Sequence, residues 1–180
     1  MARRGLTGIL LVGGESSRFG SPKALAQLGG ETLAERGWRL LGEVCEERLA
    51  VGKAADGLAL PFPVLDDGSE VRAPVAGVVA GLRAAGNRVS VVLPVDTPYV
   101  TLELLLRLAE ACEEADAAVT QTGPLPGAYS KAALPALEHR LAAGQLSLKG
   151  ALAGLAPAIV DEDPALLVNV NTPDDLRSLR

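Results

Sequence analysis

Residues 6–23 read LTGILLVGGESSRFGSPK. Leu6 to Val12 is a compact apolar run that breaks at once into glycines, the pattern of a strand buried in a parallel sheet. Gly13 and Gly14 carry no Cβ, so the backbone can approach an anion closely and its N–H groups can cradle it. Arg18 adds a planar fork of donors and Lys23 a compact positive charge. Neither G-x-x-x-x-G-K-[ST] nor G-x-G-x-x-G can be read from the stretch, so the two common nucleotide-loop motifs do not apply. By itself the loop also fits an ordinary glycine-rich turn with two solvated cations.

Working outward, strands and helices alternate. Thr32 to Glu47 carries apolar residues at helical spacing (Leu33, Trp38, Leu41, Val44, Cys45) with charges between them. Arg48 to Val51 reads as a short strand, and Val64 and Leu65 end another just before Asp66 and Asp67. Pro74 to Ala85 reads as a helix opened by proline at its first position. Val89 to Val95 is the most strand-like segment and stops at Asp96-Thr97-Pro98. Leu102 to Ala115 predicts an amphipathic helix, Ala117 to Thr120 a strand, and Ala132 to Ala143 and Ser147 to Leu155 two shorter helices. Ala158 to Val160 and Leu166 to Val170 look strand-like, and Thr172-Pro173 opens a last helix with a capping threonine. This alternation predicts a three-layer α/β fold, a mainly parallel sheet with helices on both faces. Nothing resembling a linker, repeat or low-complexity run interrupts it, so one domain over residues 1–180 is expected.

The bulk numbers narrow the function. The chain has 180 residues, 48% hydrophobic and only 3% aromatic, so Ala, Leu and Val must fill the core. A net charge of -5 gives no general positive field, which argues against a nucleic-acid partner. A small phosphorylated ligand needs only local cations. No apolar stretch reaches membrane-spanning length, and the run after Arg3 and Arg4 is too short for a secretory signal. A cytoplasmic protein is expected. Cys45 and Cys112 fall on predicted helices without metal or redox spacing and read as free thiols. The sole histidine, His139, sits on a charged helix face and reads as a surface residue. With no G-x-S-x-G either, a hydrolytic triad is not expected.

In open α/β sheets, ligands bind beyond the carboxyl ends of the strands. Three polar features fall at such ends: the glycine loop after Val12, the acidic pair after Leu65, and Asp96 after Val95. Asp96, held by the stiff Thr97-Pro98, can offer oxygen to a Mg²⁺ that bridges substrate phosphates, although it could instead cap the helix near Thr101. One of Asp66 and Asp67 would face a base, a ribose or the phosphate loop, and the other solvent. Asn169 and Asn171 share one side of an extended chain and offer groups that could read a heterocycle, or serve a turn and an N-cap.

Five blocks then resemble a known family in the right order. LVGGESSRFGSPKAL is similar to the L-A-G-G-x-S-x-R-M-G-x-x-K-A-L signature of the molybdenum cofactor guanylyltransferases. APVAGVVAGL resembles their G-P-L-A-G-I-x-A-G-L, LPVDTPYV their metal-binding x-x-C-D-x-P-x-x, GPLPGAYSKAALPALEHRLAAGQLSLKGAL their P-L-x-A-x-Y block, and NVNTPDDL their N-I-N-T-P-E-D-L. The resemblance implies a Rossmann-like nucleotidyltransferase fold and transfer of GMP from GTP to molybdenum-bearing molybdopterin, with Mg²⁺ as cofactor. It implies that Leu11, Val12, Gly13 and Lys23, with Gly14 beside them, hold GTP, and that Asp67 or Asp66 contributes to guanine or ribose binding. Asp96 would bind Mg²⁺ and touch the nucleotide, while Asn169 and Asn171 would lie on the pterin side. Transient contact with molybdenum cofactor synthesis proteins or recipient molybdoenzymes is compatible with such a role.

The sequence departs from the family at Val12 (usually alanine) and Phe19 (usually methionine). Ala50-Val51-Gly52-Lys53 stands where the family often has an asparagine. Because a phosphate monoester is already a competent nucleophile, the reaction needs positioning and charge neutralisation rather than a general base. Lys23 and Arg18 are assigned to the phosphates and Asp96 to the metal. The rivals are a CTP-dependent transferase on the same pterin, a sugar-phosphate or isoprenoid-precursor nucleotidyltransferase, and a non-catalytic nucleotide-binding or cofactor-delivery module.

Overall fold

The computed structural model describes residues 3–13 and 22–178. Gly14 and Arg18, two residues expected at the phosphates, lie outside the described residues. Nine strands are described: β1 (Arg3–Leu11), β2 (Gln27–Leu28), β3 (Glu31–Thr32), β4 (Cys45–Gly52), β5 (Val64–Asp66), β6 (Val89–Pro94), β7 (Ala117–Thr120), β8 (Gly123–Ser130) and β9 (Ala158–Val160). The α-helices are α1 (Leu33–Val44), α2 (Pro74–Ala84), α3 (Leu102–Ala111), α4 (Leu134–Ala142), α5 (Leu148–Leu152) and α6 (Pro173–Ser178). Seven strands form one sheet in the order β5-β4-β1-β6-β8-β7-β9, and β2 and β3 make a separate antiparallel pair. β5, β4, β1 and β6 run parallel, as do β7 and β9, while β8 runs antiparallel to both its neighbours.

Each face of the sheet carries its own core. On one side Leu33, Leu41 and Val44 of α1 and Leu104, Leu105 and Leu108 of α3 pack against Leu10, Val91 and Leu93. On the other, Val75, Val78, Val79 and Leu82 of α2 with Leu137 of α4 pack against Ile9, Leu11, Val92 and Tyr129. Alternate residues of β1 therefore feed opposite cores, which is why the strand reads as a compact apolar run in which Thr7 is the buried polar residue. The three-layer fold with a mainly parallel sheet is as the alternation predicts.

Local signals set the ends of the helices. Thr32 and Glu35 form a reciprocal capping box on α1, with Thr32 Oγ1 accepting from Glu35 N–H and Glu35 Oε2 accepting from Thr32 N–H. Thr101 caps α3 through the Leu104 N–H, so Asp96 is not the cap of that helix. Thr172 and Asp175 do the same for α6.

Three sequence expectations need correction. Leu166 to Val170 is not a strand. Asp163 accepts from Ala165 N–H and starts a 3₁₀ turn over Pro164–Leu167, and the buried Leu167 and Val170 sit three residues apart rather than alternating. Cys45 opens β4 rather than ending a helix, and Cys112 is the residue that closes α3. Both are free and buried, and burial pushes each thiol up to about 12, so neither serves as a thiolate nucleophile near neutral pH.

The third is β8, GPLPGAYS, a strand where the sequence pattern predicts none and where two prolines run against a central position. The structure admits them at one end. β6 pairs only with residues 127–130 of β8, and the β7 register shifts between Val119 and Thr120. Pro124 and Pro126 thus fall where the ladder is irregular and no N–H is required.

Tight α2–β1 packing yields a stability test. A Cβ on Gly81 would lie 2.8 Å from both Cγ2 and Cδ1 of the fully buried Ile9. Gly81→Val should cost about 1–3 kcal/mol through overpacking and lower Tm by roughly 2–10 °C. Unchanged thermal unfolding would show that Ile9 yields freely.

Candidate functional site

The chain leaves β1 toward β4 and β5 on one side, then returns through α2 to β6 on the other. The carboxyl end of β1 is therefore a switch point, where adjacent connections part and leave a crevice. A cleft of about 420 Å³ opens there. Leu11, Val12 and Gly13 come from the end of β1, Val51, Gly52 and Lys53 from β4, and Pro94, Val95 and Asp96 from β6. The backbone ladder continues past the strands into this rim: Val12 N–H donates to Val51 O, Val95 N–H to Leu11 O, and Asp67 N–H to Gly52 O. Gly13 packs closely on β4: a Cβ there would stand 3.2 Å from Gly52 Cα, so the neighbouring backbone would have to give by a few tenths of an ångström.

α2 begins at the cleft wall. Ala73 and Pro74 line the cleft, and the N-cap Ala73 offers no side-chain oxygen, so the helix start presents uncapped amide polarity suited to an anion. Gly77, one turn in, packs against Leu11, with a hypothetical Cβ only 2.9 Å from Leu11 Cδ2. The lining holds three cations (Lys23, Lys53, Arg72) and two carboxylates (Asp67, Asp96), a local positive excess in an acidic chain.

Lys23 and Asp96 both line this cleft. Lys23 Nζ donates to Asp96 Oδ2 at 3.2 Å and to Asn171 Oδ1 at 3.2 Å, linking residues far apart in sequence. The Lys23 and Asp96 side chains keep 16% and 25% of their surface exposed, so the pair is sheltered yet reachable. Asp96 Oδ1 makes no hydrogen bond among the described residues. The Asp96 loop is held from three directions. Thr97 Oγ1 donates to Pro94 O, Arg36 Nε donates to Pro98 O, and Val170 N–H donates to Asp96 O at 2.7 Å.

The acidic pair divides between the cleft and the outer surface. Asp67 lines the cleft and pairs with Lys53 at 2.7 Å, while Asp66 is exposed and accepts from Ala54 N–H at 2.9 Å. Asn169 lines the cleft, whereas Asn171 turns to Lys23. Val170 between them is buried. Asp175 accepts from the Asn171 and Thr172 N–H groups, and these bonds hold its carboxyl below the usual range. His139 is exposed, as expected. Lys53, Arg72 and Leu125 also line the cleft. None of the three was singled out for the site from sequence, although Lys53 stood out as a departure from the family pattern.

A cleft at the switch point of a doubly wound sheet, with a glycine-opened strand end, a lysine–aspartate pair and a bare helix start, defines a nucleotidyltransferase. The MobA-like NTP transferase domain model matches residues 8–170, and the chain belongs to that family. A molybdenum cofactor guanylyltransferase of Cereibacter sphaeroides is 39% identical to it, over 95% of this chain and 93% of the relative. The molybdopterin-guanine dinucleotide biosynthesis protein A of Archaeoglobus fulgidus superposes with a TM-score of 0.81 at 26% identity, covering 96% of this chain and 95% of that one.

Proposed function

We propose that the protein transfers GMP from GTP to the terminal phosphate of molybdenum-bearing molybdopterin and releases pyrophosphate. The observation that carries this reading is the Lys23–Asp96 pair at the shared carboxyl ends of β1 and β6, in a chain whose relatives are named for that reaction. GTP would lie along the β1–β4–α2 half of the cleft, its phosphates over Gly13 and Lys23, with Gly14 and Arg18 adding to the same grip. Asp67 would meet the guanine or ribose; Asp66, spent on Ala54, would act only indirectly. The pterin would enter from the side of Leu125 and Asn169. Asn171 would touch it while steadying Lys23.

The donor set fits Mg²⁺ of a particular kind. Among the described residues no group of three or more His, Cys, Asp or Glu side chains could hold a metal ion. Mg²⁺ characteristically takes one or two carboxylates and completes its shell with substrate phosphates and water, so Asp96 suffices if the triphosphate is present. When bound, the ion would neutralise charge on the phosphates. The chain's own residues do the rest. Lys23 holds the phosphates in line, and the loop bonds around Asp96 fix the carboxylate. An acceptor phosphate oxygen forms a bond to the α-phosphorus, and the bond from that phosphorus to the oxygen bridging to the β-phosphate breaks. The electron pair leaves with pyrophosphate. No proton need be abstracted, which suits a cleft without histidine.

Among the described residues no helix is long and apolar enough to cross a membrane. We place the reaction in the cytoplasm, with transient hand-over to cofactor-synthesis proteins or recipient molybdoenzymes and no nucleic-acid partner. Titration with GTP, CTP, ATP and UTP, with and without Mg²⁺, tests the reading. GTP should bind at least about tenfold more tightly than the others, since a site that hydrogen-bonds one base leaves buried groups unpaired with the wrong one. Preference for CTP, or indifference to Mg²⁺, would overturn it.

A further inference from the structure

Lys53 stands at the cleft end of β4, and its Nζ faces Asp67 Oδ1 at 2.7 Å, Val71 O at 2.8 Å and, closer still, Ser69 O. An ammonium has three N–H groups and no acceptor, so these three oxygens use all of them. The side chain is 10% exposed and that of Asp67 7%, so both charges are largely withdrawn from water and compensate each other. Lys53 has no donor left for a nucleotide. Its charge is spent on the loop from Asp66 to Arg72 instead.

Two further links join the same segments. Ala54 N–H donates to Asp66 Oδ1, and the Arg72 fork grips Asp56 through both Asp56 oxygens, at 2.5 and 3.1 Å. That fork holds the Asp56 carboxyl below the usual range. Residues 53–56 and 66–72 thus form one cross-linked wall, and this wall leads directly into the start of α2. Asp67 Oδ1 also accepts from Ser69 N–H, which leaves Oδ2 without a hydrogen bond among the described residues. A fixed carboxylate oxygen at a cleft wall is an acceptor for groups such as the N–H donors of guanine or the hydroxyls of ribose.

We propose that Lys53 is a positioning residue for the nucleoside: it locks Asp67 and the 66–72 loop into a preformed wall, so that Asp67 Oδ2 meets the nucleotide without reorganisation. The inference rests on the nucleotidyltransferase reading but not on which base is used. A preordered wall lowers the ordering cost of binding, so its loss should appear in nucleotide affinity rather than in the chemical step.

The test is calorimetric binding and steady-state kinetics on the full chain with Mg²⁺. Lys53→Met keeps the length of the stem and removes the charge. It should weaken GTP binding and raise KM for GTP by about tenfold or more, with kcat within about threefold and KM for the pterin unchanged. In an Asp67→Asn background the same change should add less than about threefold, because the lock then has little left to position. This second pair also serves if Lys53→Met alone does not fold, since it removes the unpaired buried carboxylate. Unaltered GTP affinity in Lys53→Met would overturn the proposal. So would a loss confined to kcat, or a further tenfold loss in the Asp67→Asn background, which would mean that Lys53 touches the nucleotide itself. If the wild-type protein binds another triphosphate in place of GTP, the guanylyl reading falls, and the same comparison with that triphosphate still decides the lock.

Discussion

Asp96→Ala is expected to lower GMP transfer by about three orders of magnitude or more and to leave the fold intact. The two halves of this expectation have separate causes. The Asp96 side chain is a quarter exposed, and its hydrogen bond among the described residues is to Lys23. Partly exposed ion pairs of this kind contribute about 1 kcal/mol or less to stability. The bond that fastens the loop, from Val170 N–H to the Asp96 carbonyl, belongs to the backbone and survives the substitution. Activity is another matter. On the proposed reading Asp96 is the protein's ligand for Mg²⁺, and without it the phosphates meet Lys23 with their charge unscreened. Pyrophosphate release with GTP, Mg²⁺ and molybdenum-bearing molybdopterin measures the rate, and far-UV circular dichroism with thermal unfolding monitors the fold. Raising Mg²⁺ should recover part of the Asp96→Asn rate, since the amide oxygen keeps a weak ligand. Transfer by Asp96→Ala at the wild-type rate would remove Asp96 from the metal site.

The parts of this site that were legible in sequence are those with local causes. β1 and β6 are largely apolar because both faces are buried, with Thr7 and Ser90 the polar residues buried within them, and each leads into a glycine or aspartate that lines the cleft. α1 is marked twice, by its apolar spacing and by the Thr32–Glu35 box. The position of Asp96 at the cleft was legible because it follows directly on a buried strand at the carboxyl edge of the sheet. In contrast, the choice between Asp66 and Asp67 turns on a single step of alternation in a strand three residues long, too short to fix a register. In the structure Asp67 lines the cleft and Asp66 is exposed.

Other features depend on partners that no local pattern announces. β8 forms between β6 and β7 although its sequence holds two prolines, and the bond from Tyr129 OH to Pro124 O secures the fold-back at its irregular end. Lys53 meets its acceptors, the Asp67 carboxylate and the Ser69 and Val71 carbonyls, 14, 16 and 18 residues further on. Lys23 and Asn171 are 148 residues apart, so a reading that assigned one to phosphate and the other to pterin could not anticipate that they touch. Charge patterns show where cations are, but which acceptors saturate them is a matter of tertiary structure.

Lys23→Met should reduce kcat by about a hundred- to a thousandfold, the range for losing one preorganised donor to transferring oxygen atoms. The cause differs from that of Asp96→Ala, and so does the expected response to metal. In the resting protein Lys23 is held between Asp96 Oδ2 and Asn171 Oδ1, each 3.2 Å away, contacts long enough to yield when phosphate oxygens arrive. Methionine keeps the bulk and removes the charge, so added Mg²⁺ should not recover the rate. Lys23→Arg should not recover it fully either, because a planar fork cannot reproduce a compact ammonium between two acceptors. Asn171→Ala should cost far less, since it frees one side of Lys23 without removing the charge. A Lys23→Met enzyme within tenfold of wild type would shift the phosphate grip to other residues of the loop, with Arg18 the first to substitute.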